Sequence, residues 1–231
     1  MPEGVKPGSV KPERRAYDAT RRQSQARANR ARVVDAARRH FLDDGYAATK
    51  LATVAADADV SVETIYKTFR NKAGLLKAVF DIAVAGDDEP VPLSERQFVT
   101  DINAEPDAAA KLRRYAVHLE ETMPRAAEVQ LLVSATATLD PEIEAVRREM
   151  QQERLTGMTA FAAHLAESGC LRSDIDTDAA RDILWTYTSA ELYELLVLER
   201  GWAIERYRDF VADALIAALL PNPLDGRGGR R

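Results

Sequence analysis

The chain is poor in the residues that build disulfide frameworks and metal sites. Its single cysteine, Cys170, rules out an internal disulfide and is typical of the reducing cytosol. Its histidines, His40, His118 and His164, lie too far apart in sequence to show the spacing of metal ligands. We therefore expect no metal ion and no cofactor.

Long apolar runs are missing as well. No stretch approaches the roughly 20 apolar residues that a membrane-spanning helix needs. Residues 1–32 have no apolar core, so we expect no secretory signal. We expect a cytoplasmic protein without a membrane partner. The sequence also shows no paired carboxylates at metal spacing, no nucleophile elbow and no glycine-rich phosphate loop, which argues against an enzyme.

Charge is unevenly distributed along the chain. The net charge is −5, but residues 1–80 hold 16 Lys and Arg against 9 Asp and Glu, whereas residues 81–231 hold 16 against 28. A basic part joined to an acidic part indicates polyanion binding at one end. A solvated surface that happens to be asymmetric is the alternative.

Apolar residues recur at helical spacing throughout, and the fold class predicted is all-α. Helices are expected at about 24–43, 50–57, 62–69, 72–85, 107–123, 125–139, 141–168, 176–200 and 204–220. A run rich in Pro, Gly and acids at 86–93 marks a boundary. The predicted organisation is a disordered basic arm (1–23), a helical domain with its linking helix (24–85), a linker (86–105), a second helical domain (106–220) and a flexible tail (221–231). The arm has two interpretations, DNA contact or a solubilising tail.

Residues 45–72 have the layout of a helix-turn-helix, whose second helix enters the major groove of DNA. Asp59 is expected to take the left-handed conformation in the turn, because Asp tolerates it. Ser61 is placed to cap the second helix. Ile65 and Phe69, four residues apart, would anchor that helix to the bundle.

The opposite face of this helix carries groups suited to DNA. Val62 suits a thymine methyl group and Glu63 suits a cytosine amino group, whereas Lys67 and the hydroxyl-bearing residues nearby suit phosphates. An ordinary solvent-facing surface is the alternative for any one of them. The predicted DNA contacts are Thr49, Lys50, Val62, Glu63, Thr64, Tyr66, Lys67, Thr68 and Lys72.

The stretch from Arg32 to Leu76 resembles the tetracycline-repressor (TetR) family, notably at Phe41, Gly45, Ile65, Tyr66, Phe69 and Lys72. The resemblance implies a three-helix DNA-binding domain followed by a larger helical domain that dimerises and binds small molecules. Two positions depart from the family pattern. Asp59 stands where the family usually has Gly, and Lys50 stands where it favours Thr or Ser, so Thr49 is expected to cap the first helix of the motif instead.

Two further sets of residues are predicted in the C-terminal domain. An apolar pocket for a ligand would draw on Tyr115, His118, Met123, Met158, Phe161, Trp185 and Tyr193. A dimer interface would draw on Leu192, Leu196, Ile204, Tyr207, Val211, Ala214, Leu215 and Ala218. Each set has core packing as its alternative.

The sequence thus predicts a homodimeric regulator that binds double-stranded operator DNA, most simply a repressor that an apolar small molecule releases. An all-helical enzyme that binds an apolar substrate is the second hypothesis, and a helical adaptor that has lost DNA binding is the third.

Overall fold

The computed structural model describes the backbone of residues 12–221 and the side chains of residues 24–221. That part of the chain is helical and contains no strand, so the predicted all-α class is confirmed. Its α-helices are α1 (Pro12–Asp43), α2 (Gly45–Ala48), α3 (Leu51–Asp57), α4 (Val62–Phe69), α5 (Lys72–Ala85), α6 (Gln97–Ala104), α7 (Ala108–Ala137), α8 (Pro141–Glu167), α9 (Thr177–Tyr187), α10 (Ala190–Tyr193) and α11 (Ile204–Leu219). A 3-10 turn (Leu93–Glu95) precedes α6, and a π-helical segment (Glu194–Glu199) follows α10.

Helix caps explain several boundaries. Asp107, Asp140 and Asp176 each accept a hydrogen bond from a backbone N–H in the first turn of α7, α8 and α9. In α8 the next residue is Pro141, which suits the first turn because its missing N–H has no helical partner there. These local signals lie in the sequence, and the predicted starts of these helices agree with the structure.

The first helix begins twelve residues earlier than predicted. It starts at Pro12, whereas residues 1–23 were expected to form a disordered arm. Proline is favourable in a first helical turn, and the segment after it is rich in Arg, Ala and Gln, which are strong helix formers. The expectation of disorder is therefore wrong for residues 12–23, and its remainder, residues 1–11, lies outside the described residues.

Three other expectations differ from the structure. The predicted linker contains α6, whose Ile102 is buried. The break expected at Pro124 is absent, and α7 runs through it because its neighbours Met123 and Ala126 are buried in the core. The single helix expected at 176–200 is instead interrupted at Thr188, where Ser189 caps a new helix by accepting from the N–H of Leu192 at 3.2 Å.

Two apolar cores organise the molecule. One surrounds Phe41, Ile65 and Leu76 of the N-terminal helices and continues into α7 and α8 through Val133 and Ile143. The other joins α6 to α11. Because the first core crosses the predicted domain boundary, the N-terminal helices are packed directly on the C-terminal ones.

None of the helices that the structure describes has the length and apolarity needed to cross a membrane. The predicted tail lies, apart from Pro221, outside the described residues.

Candidate DNA-binding surface and ligand cavity

The turn between α3 and α4 has the predicted conformation. Asp59 has a φ of 52°, the left-handed region in which Asp is tolerated. The hydroxyl of Ser61 accepts a hydrogen bond from the N–H of Thr64 at 3.1 Å and caps α4. Both predictions are confirmed. Together the two residues set the angle at which α4 leaves the turn.

Helix α4 presents one face to the core and the other to solvent. Ile65 is 0% exposed and Phe69 is also buried, whereas Tyr66 is 52% exposed. Among the other predicted DNA contacts, Lys50, Glu63, Lys67 and Thr68 are exposed, and Val62, Thr64 and Lys72 are half-buried. The exposed face thus combines a carboxylate, an ammonium group, a phenol and a hydroxyl on two turns of helix.

Thr49 does not belong to this surface. It is 4% exposed, and its hydroxyl donates to the carbonyl oxygens of His40 at 2.9 Å and Gly45 at 2.8 Å. Each of these carbonyls, at the ends of α1 and α2, also accepts a backbone N–H, that of Asp44 at 3.0 Å and that of Thr49 at 3.2 Å, so the hydroxyl adds a second hydrogen bond to both. The expectation that Thr49 contacts DNA or caps the next helix is therefore wrong. Lys50 occupies the cap position of α3 without a capping side-chain hydrogen bond.

The junction between α4 and α5 places two cations beside α4, which as the second helix of the helix-turn-helix is the candidate recognition helix. Lys72 lies with its Nζ 4.3 Å from the centre of the Tyr46 ring, and burial lowers the pKa of its ammonium group. Arg70 is exposed, has a φ of 70°, and follows Phe69 directly. Arg70 was not among the predicted DNA contacts. Its position between two short helices of a basic motif could have indicated such a contact.

Gly74 allows α5 to lie this close to α4. A Cβ atom at Gly74 would stand 2.2 Å from the carbonyl oxygen of Phe69 and 3.3 Å from Oδ1 of Asn71. Asn71 caps α5 by accepting from the N–H of Gly74 at 2.8 Å. The tight junction therefore depends on glycine, and it holds Arg70 and Lys72 next to α4.

A histidine ties the remaining helices of the motif together. The ring of His40 in α1 contacts Asp44 at 3.1 Å and Asp57 of α3 at 2.8 Å. Hydrogen bonds to these two carboxylates raise the pKa of His40 above 6.5. Protonation of this ring would strengthen the link between α1 and α3.

A large cavity of about 1210 Å³ lies between the N-terminal and C-terminal helices. Its wall is drawn from α1, α5, the segment between α5 and α6, α6, α7, α8 and the residue after α9. Most of its lining surface is apolar, with contributions from aromatic rings and Met side chains, as is usual for sites that bind small apolar molecules. Its most informative lining residues are Phe80, Phe98, Tyr115, His118, Arg154 and Phe161.

The predicted pocket residues divide into two groups. Tyr115, His118, Met123, Met158 and Phe161 line the cavity. Trp185 and Tyr193 do not: Trp185 carries the guanidinium of Arg154 over its ring, and Tyr193 packs edge-on against Tyr207 at 5.3 Å. Both rings are thus occupied by packing on the far side of the wall, and their assignment to the pocket is wrong. Phe80 and Phe98 also line the cavity but were not among the predicted pocket residues. The segment that contains α6 was expected to be a linker, and α5 was expected only to connect the two domains.

His118 is held neutral in the cavity wall. Its ring stacks on Phe98 with centroids 3.7 Å apart, and Thr122 lies 3.3 Å from Nε2. Burial, helped by the charge of Arg125, lowers the pKa of His118 to about 4. At neutral pH this wall therefore offers a neutral imidazole.

Comparison with known proteins identifies the DNA-binding part. Residues 33–79 match the sequence model of the tetR family of bacterial regulatory proteins. The match begins in α1 and ends in α5, so it contains the whole helix-turn-helix. The chain therefore carries a DNA-binding domain like that of the tetR family. Proteins of this family regulate transcription through the helix-turn-helix, and the chain is accordingly a DNA-binding transcriptional regulator.

Relatives extend the match beyond that domain. Over 184 residues the chain is 24% identical to the HTH-type transcriptional regulator TtgR of Pseudomonas putida, covering 77% of this chain and 85% of TtgR. The probable HTH-type transcriptional regulator ArpR, also of Pseudomonas putida, matches with the same identity and coverage. By name, both relatives are regulators of transcription.

Solved structures share the fold. A putative TetR-family regulator from Rhodococcus sp. superposes with a TM-score of 0.65 at 14% identity, covering 83% of this chain and 98% of that one. A putative regulator from Saccharomonospora viridis in complex with choline has a TM-score of 0.63 at 20% identity, covering 84% and 98%. The regulator FadR from Bacillus subtilis in complex with stearoyl-CoA has a TM-score of 0.61 at 19% identity, covering 81% and 97%.

The predicted dimer residues are split between the inside and the outside of the protein. Tyr207, Val211 and Leu215 are fully buried, because that side of α11 packs on α7 and α9. They have no surface for a second subunit, so their assignment to the interface is wrong. The half-buried residues Leu192, Leu196, Ile204, Ala214 and Ala218 stay predictions.

Apolar side chains outside the predicted interface set stand on the outside of the same segments. Leu195 is 53% exposed, and Leu198 and Phe210 are exposed as well. Trp202 packs edge-on against Phe210 at 5.6 Å. The π-helical segment changes the number of residues per turn, and the prediction had assumed a regular α-helical period there.

Proposed function

We propose that this protein is a repressor that binds its operator as a homodimer and leaves it when a small apolar molecule fills the cavity. The observation that carries the proposal is the makeup of the cavity wall. Helix α5, which follows the recognition helix directly, contributes Phe80, Asp81 and Val84 to the same cavity as the regulatory helices α7 and α8. A bound molecule would therefore touch the helix that positions α4.

Contacts between α5 and the regulatory helices support this coupling. Lys77 of α5 pairs with Glu153 of α8 at 3.1 Å, and the Arg125 side chain of α7 donates to the carbonyl oxygen of Ala83 at 3.1 Å. Asn71 at the start of α5 donates to Glu142 at 3.2 Å. A shift of α7 or α8 around a ligand would be transmitted to α5. Release requires that the ligand bind the DNA-incompetent arrangement more tightly than the competent one.

DNA binding is tested by selecting bound sequences from a random pool and measuring affinity for the selected operator. Lys67→Ala should weaken binding to every sequence and reduce the salt dependence, because a phosphate contact is lost. Glu63→Ala should change the preferred base, with an effect of about 1–3 kcal/mol at one position.

The control for both variants is Arg113→Ala, which removes an exposed cation from α7 and should leave operator affinity unchanged. Failure to recover any selected sequence would sink the proposal that α4 reads an operator. A Glu63→Ala variant with unaltered base preference would remove Glu63 from the reading surface.

The homodimer is proposed from the exposed apolar side chains of the π-helical segment and α11. Leu195→Asp would place a charge in that surface, and the expected result is a shift from dimer to monomer in sedimentation velocity. Leu139→Asp is the matched control, because Leu139 is 86% exposed at the corner between α7 and α8. If Leu195→Asp sediments like the parent dimer, the interface lies elsewhere.

A further inference from the structure

One end of the cavity holds a positive charge without a carboxylate partner. Arg154 of α8 lines the cavity, and its Nη2 donates to the carbonyl oxygen of Trp185 and to the hydroxyl of Thr188, the latter at 3.1 Å. Its guanidinium lies 4.1 Å from the centre of the Trp185 ring. These contacts use Nη2 alone. Within the described part of the chain, Nε and both N–H groups of Nη1 donate no hydrogen bond.

The other half-buried cations of the cavity wall are neutralised. Arg30 pairs with Asp88 at 2.9 Å. Lys77 pairs with Asp81 and Arg96 pairs with Asp87, both at 2.7 Å. For Arg154, no carboxylate of a described residue lies within 4.0 Å, and Glu191 acts on it only from a longer distance. Burial lowers the pKa of Arg154, but an arginine stays protonated in a protein.

Two phenol groups lie in the electrostatic neighbourhood of this guanidinium. The hydroxyl of Tyr115 lies 3.9 Å from the Met158 sulfur, which is a weak acceptor. Burial raises the pKa of Tyr115, while Arg154 and Thr188 act to lower it, which places the phenol beside them. Tyr207 is fully buried, and its hydroxyl has no hydrogen-bond partner among the described residues.

We propose that the cavity takes an amphipathic molecule whose carboxylate accepts hydrogen bonds from Nε and Nη1 of Arg154 and from the hydroxyl of Tyr115. The apolar part of the molecule would lie along Phe161 and Phe98. A buried guanidinium without a counter-ion is costly, and a ligand carboxylate would supply both the charge and the acceptors. A quaternary ammonium compound would meet a like charge at the same place.

A structural role for Arg154 makes a different prediction. Holding the end of α9 requires only the two Nη2 hydrogen bonds and the stacking on Trp185, so it would not distinguish ligands by charge. Discrimination between ligands with the same tail and different head groups is therefore the deciding measurement.

The test uses three probes with one tail: dodecanoate, dodecan-1-ol and dodecyltrimethylammonium, each below its aggregation concentration. Their affinities for the full chain are measured by isothermal titration calorimetry. We expect dodecanoate to bind at least tenfold more tightly than dodecan-1-ol, and the ammonium compound to bind most weakly. Equal affinities for dodecanoate and dodecan-1-ol, or no binding of any probe, would overturn the proposal.

Variants assign the effect to the guanidinium. Arg154→Gln should lower the affinity for dodecanoate to that for dodecan-1-ol and leave the latter within about threefold, whereas Arg113→Gln on the surface should change neither. A folded Arg154→Gln protein that keeps the preference contradicts the assignment. If circular dichroism shows that Arg154→Gln is unfolded, Tyr115→Phe decides: a loss of at least threefold for dodecanoate alone is expected, and equal losses for both probes would overturn the site.

The regulatory consequence rests on the proposed function, and the two are separated by a second readout, fluorescence anisotropy of the selected operator. Dodecanoate that binds with the expected preference but leaves the operator complex intact would support the carboxylate site and refute release by ligand. If dodecan-1-ol releases the protein from the operator at the same concentration as dodecanoate does, the proposed function is supported and the carboxylate preference is overturned.

Discussion

Replacing Gly74 by Ala should destabilise the protein through the junction of α4 and α5. The added Cβ would stand 2.2 Å from the carbonyl oxygen of Phe69, whereas 3.4 Å is the start of ordinary contact, so an overlap of about 1.2 Å has to be relieved. This oxygen belongs to the backbone at the end of α4 and cannot rotate away as a side chain would. The capping oxygen of Asn71, at 3.3 Å, restricts movement on the other side.

The magnitude follows from two opposing effects. Overpacking costs typically about 1–3 kcal/mol, and a rigid backbone neighbour favours the upper end of that range. Alanine in place of glycine within a helix regains about 0.5–1 kcal/mol. We expect a net loss of about 2 kcal/mol in the free energy of unfolding, which for a chain of this size lowers Tm by about 4–8 °C. Operator affinity should fall as well, because Arg70 and Lys72 move with the junction.

Gly157→Ala is the matched control. Gly157 lies exposed within α8, and a Cβ there meets nothing within 4 Å. The same substitution should therefore raise stability by about 0.5–1 kcal/mol. Thermal unfolding followed by circular dichroism compares the two variants with the parent. A Gly74→Ala protein as stable as the parent would refute the close approach of α4 and α5.

Two further predictions concern histidines and pH. The pKa of His118 is about 4 in the folded state and about 6.5 unfolded, so its contribution to stability is complete above pH 6.5 and is lost as pH falls towards 4, by at most about 3 kcal/mol. His118→Gln should flatten the pH dependence of urea unfolding over that interval, and an unchanged slope would contradict the burial of the ring. The pKa of His40 is raised, so its stabilising contribution is present below pH 6.5 and is lost as pH rises through the folded-state pKa. His40→Gln should therefore cost more stability at pH 6 than at pH 9, and equal losses at both would exclude a charged link to Asp44 and Asp57.

Local signals were sufficient for the helix-turn-helix. The left-handed turn at Asp59 and the cap at Ser61 depend on residues within a few positions of each other, and both were predicted correctly. Thr49 shows the limit of this reasoning. Its hydroxyl was expected to face outward, but it donates to carbonyls at the ends of two helices, a contact that forms only when α1 and α2 are packed together.

The C-terminal half depended more on tertiary packing. The sequence pattern showed that α11 is amphipathic, but both a core and a subunit interface are apolar, so periodicity did not tell which side Tyr207 faces. Arg154 was not among the predicted pocket residues. Its significance lies in the absence of a carboxylate among the described residues nearby, and this absence is visible only in the folded structure. Helix α6 was missed because the acids and prolines before it indicated a linker.

The shared core has a consequence for how an effector can be found. Because Val133 of α7 and Ile143 of α8 belong to the core around Phe41, the N-terminal helices share their apolar interior with the C-terminal ones. Unfolding of the two halves is thereby linked, and a molecule bound in the cavity adds its binding free energy to the stability of the DNA-binding part. At a hundred times its Kd such a molecule contributes about 2.7 kcal/mol. A compound library can thus be screened by melting alone, without DNA and before any operator is known.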